Sequence, residues 1–142
     1  MENIKESSSR DNSKIICIKG KVFSGSGEGA KFTELPWVKK QIKEKLGFTP
    51  YPGTLNIKLS EESVELRKLL EKAKPIGISP SGEYCRGKCF KAHLIGKKPC
   101  AVVLPEIANY PQNVLEIIAP INLRTGLKLK DGDQVEIKIL LQ

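Results

Sequence analysis

The chain is short of the residues that several common chemistries require. Its 142 residues include one histidine, one methionine and one tryptophan, and aromatic residues make up 6%. A single histidine excludes multi-histidine metal centres, and no C-x2-C knuckle offers zinc a thiolate clamp. Cys85, Cys89 and His93 are the one spacing that invites a metal, but the alternation of Cys89-Phe90-Lys91-Ala92-His93-Leu94-Ile95 reads as a strand with an ordinary core cysteine. No apolar run approaches the roughly 18 residues that cross a bilayer, and the first residues lack a signal peptide's apolar stretch. Membrane insertion and secretion are therefore disfavoured, the cytoplasm is the expected setting, and disulfides are not expected there. The Walker phosphate pattern is missing too, because Gly20-x4-Gly25 is followed by Ser26 where a lysine is needed.

Positive charge is plentiful. Lys and Arg total 24 against 16 Asp and Glu, a formal net charge of +8. In residues 1–14 the charges cancel, and this polar, Ser-rich stretch reads as a flexible tail ahead of one domain over 15–142. The surplus gathers at Lys39, Lys40, Lys43 and Lys45, at Arg86, Lys88, Lys91, Lys97 and Lys98, and at Arg124, Lys128 and Lys130. Such a balance suits an anionic ligand, whether a nucleic acid, a membrane surface or a phosphorylated small molecule, but composition alone favours a merely solubilising surface.

Periodicity predicts short strands at Ile15–Phe23, Thr54–Leu59, Cys89–Ile95, Pro99–Leu104, Val114–Ile118 and Gln134–Leu141. A helix is predicted from Pro36 to Leu46, stopped by Gly47, with Val38, Ile42 and Leu46 on one face. Ser60 caps a second helix whose expected buried stripe is Leu66, Leu69, Leu70 and Ala73, and Pro75 ends it. Residues 75–83, rich in Pro, Gly and Ser, read as loop. Six strands and two or so peripheral helices, without regular β/α alternation, predict a mainly β protein built as a small closed six-stranded barrel.

Three features carry chemistry. Gly25-x-Gly27-x-Gly29-Ala30 formally fits the dinucleotide fingerprint, but Thr33-Glu34-Leu35-Pro36 is read as delaying the helix, and no acidic residue lies between Glu44 and Glu61. A glycine loop remains whose amides can converge on phosphates. Thr54 and Asn56, two apart on a strand, face the same way, and taken alone they read as polar strand residues beside a turn. Glu116 stands in the apolar run Val114-Leu115-Glu116-Ile117-Ile118, where an unpaired carboxylate is expensive. Asp131-Gly132-Asp133 reads as turn chemistry.

Taken together, Gly25-Ser26-Gly27-Glu28-Gly29, Leu35-Pro36, the block Leu46-Gly47-Phe48-x-Pro50-Tyr51-Pro52-Gly53-Thr54-Leu55-Asn56, the block Leu115-Glu116-Ile117-Ile118-Ala119-Pro120-Ile121-Asn122-Leu123-Arg124 and Leu129-Lys130-Asp131-Gly132-Asp133 resemble the archaeal CTP-dependent riboflavin kinase family. The resemblance runs over about residues 15–141. It implies a cradle-loop β-barrel that transfers the γ-phosphate of CTP to the 5′-hydroxyl of riboflavin, giving FMN and CDP, with Mg²⁺. Larger members add an N-terminal helix-turn-helix domain, so the resemblance is to the kinase domain. It implies CTP/CDP binding by Ser26, Gly27, Glu28, Gly29, Ala30 and Lys31 and by Ile121, Asn122, Leu123 and Arg124. Metal ligands would be Thr54 and Asn56, and Glu116 would contact the flavin and be the candidate catalytic base. Members often carry arginine where Ala30 stands. The place of a second flavin contact, a threonine in some members, is held by Ala108, with Asn109 and Tyr110 next to it as substitutes. Riboflavin/FMN and CTP/CDP are thus the expected partners, a monomer is favoured, and neither a membrane nor a nucleic acid is expected.

Two rival readings are a basic barrel that stacks nucleic-acid bases on Trp37, Tyr84 and Phe90, and a non-catalytic interaction barrel.

Overall fold

Alternation builds the first strand. In β1 (Lys14–Phe23) Ile16, Ile18, Gly20 and Val22 are buried on one side, while Cys17, Lys19 and Lys21 face outward. The structure is a computed structural model that describes residues 14–25, 27–78, 87–94, 98–106 and 108–141. Its other strands are β2 (Leu55–Leu59), β3 (Ile76–Ile78), β4 (Gly87–Leu94), β5 (Lys98–Pro105), β6 (Val114–Ile118) and β7 (Gln134–Leu141). They run in the order β3-β4-β5-β6-β2-β1-β7. A second pairing of β4 with β7, through Ala92↔Ile139 and His93↔Lys138, closes six of them into an antiparallel barrel and leaves β3 outside. The mainly β, closed six-stranded architecture is the one the periodicity predicts.

Two apolar layers hold it. Ile18, Ile57, Leu115, Ile137 and Ile139, each 0% exposed, fill the barrel. Outside β4 and β5, Cys89, Ala101, Val103 and Ile118 pack with Val38, Ile42 and Ile78. Central β5 is thus covered on both faces, which is why Ala101–Leu104 reads as unbroken apolar sequence.

Helix α1 (Glu28–Thr33) is followed by α2 (Pro36–Leu46), α3 (Glu61–Arg67) with a 3-10 turn (Lys68–Glu71), and α4 (Leu123–Gly126). None among the described residues is long and apolar enough to cross a membrane. Helix α2 has the predicted bounds, with Pro36 at its start and Gly47 in the left-handed conformation at its end.

Three expectations need correction. A helix does begin inside the glycine motif, at Glu28, so the delay inferred from Thr33–Pro36 is wrong. The dinucleotide reading still fails, because the strands on either side pair antiparallel and form no parallel βαβ unit. Within the expected loop 75–83, Ile76–Ile78 forms β3 on β4, since Ile78 fills the layer under α2. The second helix tightens at Lys68 and keeps half of the expected stripe inside, with Leu70 0% exposed and Ala73 against the core. Leu66 and Leu69 are 38% and 48% exposed, while Ser63 and Arg67 are 3% and 5% exposed. The Ser63 hydroxyl accepts from the Lys19 amide at 2.8 Å, and the Ser60 hydroxyl accepts from the Ser63 amide, which fixes the helix's rotation against β1.

Among the described residues the stacking platform does not form, because Phe90 is 2% exposed inside the barrel and Trp37, on α2, packs edge-on against Phe32. Tyr84 lies outside the described residues, as does Cys85. No group of three or more His, Cys, Asp or Glu able to hold a metal exists among the described residues.

Burial pushes the Cys89 and Cys100 thiols up to about 12, while Cys17 is exposed. Alkylation of the native protein at neutral pH, mapped by peptide mass spectrometry, should label Cys17 within minutes and Cys89 and Cys100 only after denaturant. Labelling of Cys89 at the rate of Cys17 would contradict the packing.

Candidate functional site

The site begins with a strand register. Strands β2 and β6 pair Leu55 with Ile117, Asn56 with Glu116 and Ile57 with Leu115. Leu55, Ile57, Leu115 and Ile117 all point into the barrel at 6% exposure or less. Strand alternation therefore sends Asn56 and Glu116 to the outer face, side by side. Thr54 precedes β2 and joins them: its hydroxyl donates to Glu116 Oε1 at 3.1 Å and lies 3.4 Å from Asn56 Oδ1. On the far side the Tyr110 hydroxyl donates to Glu116 Oε2 at 2.5 Å. Burial, then the hydrogen bond to Glu116 and its charge, raises the Tyr110 pKa well above the ordinary phenol value, so the donor stays protonated. The carboxylate that looked unpaired in sequence thus has two protein partners.

The glycine loop meets this cluster directly. A Cβ on Gly25 would lie 2.4 Å from Asn56 Nδ2, so the loop backbone rests on the carboxamide where only glycine fits. Gly27 caps α1 with φ +91°. Thr33, fully buried, ties α1 to the Tyr51–Thr54 turn by accepting from the Gly53 amide at 2.9 Å and donating to Ala30 O.

A third segment closes the rim. Ser24 donates to Asp131 at 2.9 Å, and Arg124 Nη2 donates to the same carboxylate at 2.5 Å. The Arg124 hydrogen bond, followed by that of Ser24, holds the Asp131 carboxyl below its ordinary range. A lowered native pKa means the contact is kept above the unfolded value and lost as acid protonates the native carboxylate. The Asp131-Gly132-Asp133 turn forms as expected, with Lys130 N–H bonding Asp133 Oδ2, but Asp131 also latches nearby Arg124 to the distant Ser24.

Two adjoining clefts result. One of about 460 Å³ is lined by Ser24, Gly25, Gly27, Ala30, Thr54, Asn56, Tyr110, Glu116 and Arg124, among others. A smaller one, about 170 Å³, runs over Tyr51–Leu55 and Ile121–Arg124. Gly53, Thr54 and Arg124 line both. Asn122 caps α4 by accepting from the Thr125 amide and donates to the Tyr51 hydroxyl at 3.4 Å, which shapes the smaller cleft.

Most sequence-derived candidates converge here. Gly27, Ala30, Thr54, Asn56, Glu116 and Arg124 share the larger cleft, and Ile121, Asn122, Leu123 and Arg124 share the smaller. Ser26 lies outside the described residues, and Glu28 and Gly29 contribute backbone to α1. Lys31 is exposed in the last turn of α1 and lines neither cleft. Ala108 is exposed in the turn after β5 and lines neither cleft, whereas its neighbour Tyr110 does line one. Ser24, Asp131 and Arg67 had no local signal, since their partners lie far along the chain.

The donor set fits a hard divalent cation. Two octahedral Mg²⁺ ligands at about 2.1 Å sit roughly 3.0 Å apart, so the 3.4 Å between Thr54 Oγ1 and Asn56 Oδ1 needs only a small closure. Both oxygens are neutral, so an ion held by this pair would draw its charge balance from neighbouring groups, the Glu116 carboxylate or a bound anion.

The described architecture is a small closed barrel whose outer face carries a glycine loop, a neutral oxygen pair and a rim arginine beside one cleft. Residues 22–139 match the family CTP-dep_RFKase, described as a domain of unknown function, DUF120. The chain is 44% identical over 133 residues to a riboflavin kinase of Sulfurisphaera tokodaii, covering 90% of this chain and 98% of that protein. It is 45% identical to a riboflavin kinase of Methanosarcina barkeri and 42% to one of Archaeoglobus fulgidus, covering 90% and 92% of this chain. The chain spans 58% of the length of each of those two proteins. It belongs to the CTP-dep_RFKase family.

Gly25→Ala should expel the Asn56 carboxamide while costing about 1–3 kcal/mol of stability. The Asn56 side-chain amide resonances should shift in a ¹⁵N spectrum whose barrel signals stay put. Unmoved Asn56 amides would show that the loop yields instead.

Proposed function

We propose that this chain is a CTP-dependent riboflavin kinase, which moves the γ-phosphate of CTP to the 5′-hydroxyl of riboflavin and releases FMN and CDP. The observation that carries the reading is that the glycine loop, the Thr54–Asn56 pair and Glu116 line one cleft, and that this cleft shares Thr54 and Arg124 with a second, smaller one. Riboflavin kinase names on its relatives support the acceptor, and the family name supports the donor.

In this reading the smaller cleft takes the cytidine. Backbone groups of Ile121–Arg124 would read the edge of the base, and Tyr51 would flank it. Free amides at the start of α1, around Gly27–Gly29, would cradle the phosphates, where such N–H groups neutralise charge without reorganising. Thr54 and Asn56 would hold Mg²⁺, which supplies neutralisation of the phosphate oxygens. Arg124, on the rim of both clefts, adds a cation that Asp131 keeps in place. Glu116 and the Tyr110 wall would receive the flavin, with Ala108 leaving its position to Tyr110.

In the transfer, the bond from the γ-phosphorus to the β,γ-bridging oxygen breaks and CDP leaves with its electron pair. The riboflavin 5′-oxygen bonds to phosphorus, and its proton passes to a carboxylate oxygen of Glu116, the only acid among the described lining residues of the larger cleft. A loose transition state asks little of this base, so alignment in the cleft supplies most of the rate. Nucleotide chemistry of this kind implies the cytoplasm, and one barrel carries every residue the reading needs, so we take the working unit to be a monomer.

The test incubates protein, riboflavin and Mg²⁺ with CTP, ATP, GTP or UTP and follows FMN by chromatography. FMN should appear with CTP at least about tenfold faster than with any other nucleotide. No FMN with any nucleotide would overturn the kinase reading, and equal rates with ATP would overturn the cytosine selectivity.

A further inference from the structure

The Thr54 hydroxyl has one proton and two acceptors within reach, Glu116 Oε1 at 3.1 Å and Asn56 Oδ1 at 3.4 Å. Which one receives it matters. A proton aimed at Asn56 would lie between the two oxygens that are to share a cation. A proton aimed at Glu116 leaves lone pairs of both oxygens open to the cleft. The nearer, charged carboxylate wins only while it is held in place.

What holds it is Tyr110, through the 2.5 Å hydrogen bond to Oε2. Its ring is a wall between two spaces, the 460 Å³ cleft and a second cavity of about 390 Å³ lined by Arg67, Leu70, Lys88, Leu104 and Gln112, among others. With space on both sides, packing alone does not fix the ring. The Arg67 guanidinium lies 5.9 Å from the ring centroid. Arg67 is 5% exposed, its Nε has no partner, and its hydrogen bond to Gln112 is long at 3.5 Å. Among the described residues no carboxylate forms a salt bridge with it. A cation buried with so little pairing is a cost to the fold; the tyrosine ring and, beyond salt-bridge range, the Glu71 carboxylate are its neighbours of opposite electrostatic sense.

We propose that Tyr110, seated on Arg67, is a positioning residue that clamps Glu116 and so turns the lone pairs of Thr54 toward the cation-binding corner of the cleft. The chain of contacts runs Arg67, Tyr110, Glu116, Thr54, and joins a buried residue on α3 to the metal ligands on the barrel's outer face. The proposal rests on the reading above that Thr54 and Asn56 hold a divalent cation. Neither Arg67 nor Tyr110 touches the reacting atoms in this arrangement.

Mn²⁺ is the probe, titrated into protein with CDP and followed by loss of the free-ion electron paramagnetic resonance signal. Circular dichroism checks the fold of each variant, and CDP affinity in chelator checks the cleft without metal. Thr54→Ala should abolish site binding. Tyr110→Phe, which keeps the ring, should weaken Mn²⁺ about tenfold with metal-free CDP affinity unchanged. Arg67→Met should weaken Mn²⁺ roughly threefold while melting at the wild-type temperature or above. If Thr54→Ala loses Mn²⁺ but folded Tyr110→Phe binds it as the wild type does, the positioning role is wrong and the metal site stands. If Thr54→Ala binds Mn²⁺ normally, the metal site itself is wrong. Should Tyr110→Phe fail to fold, Arg67→Met decides, and wild-type Mn²⁺ affinity in that variant overturns the proposal.

Discussion

The pairing of Asn56 with Glu116 across β2 and β6 is the constraint on which the site depends. It is enforced from the other side of the sheet. Leu55, Ile57, Leu115 and Ile117 sit inside the barrel, and fully burying such side chains is worth about 1.5–3 kcal/mol each. A slip of either strand by one residue would turn its two apolar side chains outward and drive Asn56 or Glu116 into an apolar core. The hydrophobic effect therefore positions the polar cluster without touching it, and β1 completes the row by setting Phe23 opposite Asn56.

Around that row the electrostatics are sparing. The cluster holds a hydroxyl, a carboxamide, one carboxylate and a phenol, and the carboxylate is occupied by two donors. In the proposed function such a corner would attract a metal weakly by itself and more strongly once a nucleotide's phosphates arrive. The rim contact of Ser24 and Arg124 with Asp131 is exposed, and pairs of that kind contribute little to stability. Its effect is geometric, since it keeps three separate segments at the mouth of one cleft.

Local pattern was enough for much of the fold. Alternation located the strands of the barrel, and Pro36 with Gly47 bounded α2, because those signals act within a few residues. Three-residue β3 was hidden by its Pro and Gly neighbours, and helical α1 by glycines that suggested a loop. Arg67 was missed because apolar spacing pointed to Leu66 and Leu69, whereas Ser63 and the Lys19 amide set the rotation. The site divides in the same way. Thr54 and Asn56 share a face by strand geometry alone, but the bond of Thr54 to Glu116 spans 62 positions and that of Ser24 to Asp131 spans 107. No local periodicity encodes contacts of that range. Resemblance to a family pointed to Glu116 and the glycine loop and offered Tyr110 as a substitute contact; only the fold shows the bond of Tyr110 to Glu116 and the place of Asp131 on the rim.

The most direct measurement is the anomalous scattering of Mn²⁺ in crystals grown with CDP and FMN. The account predicts one strong peak within bonding distance of both Thr54 Oγ1 and Asn56 Oδ1, beside the phosphates of CDP, with Glu116 still accepting from Tyr110 and Thr54. A peak bonded directly to the Glu116 carboxylate, or lodged at Asp131 and Asp133 with the Thr54–Asn56 corner empty, would contradict it.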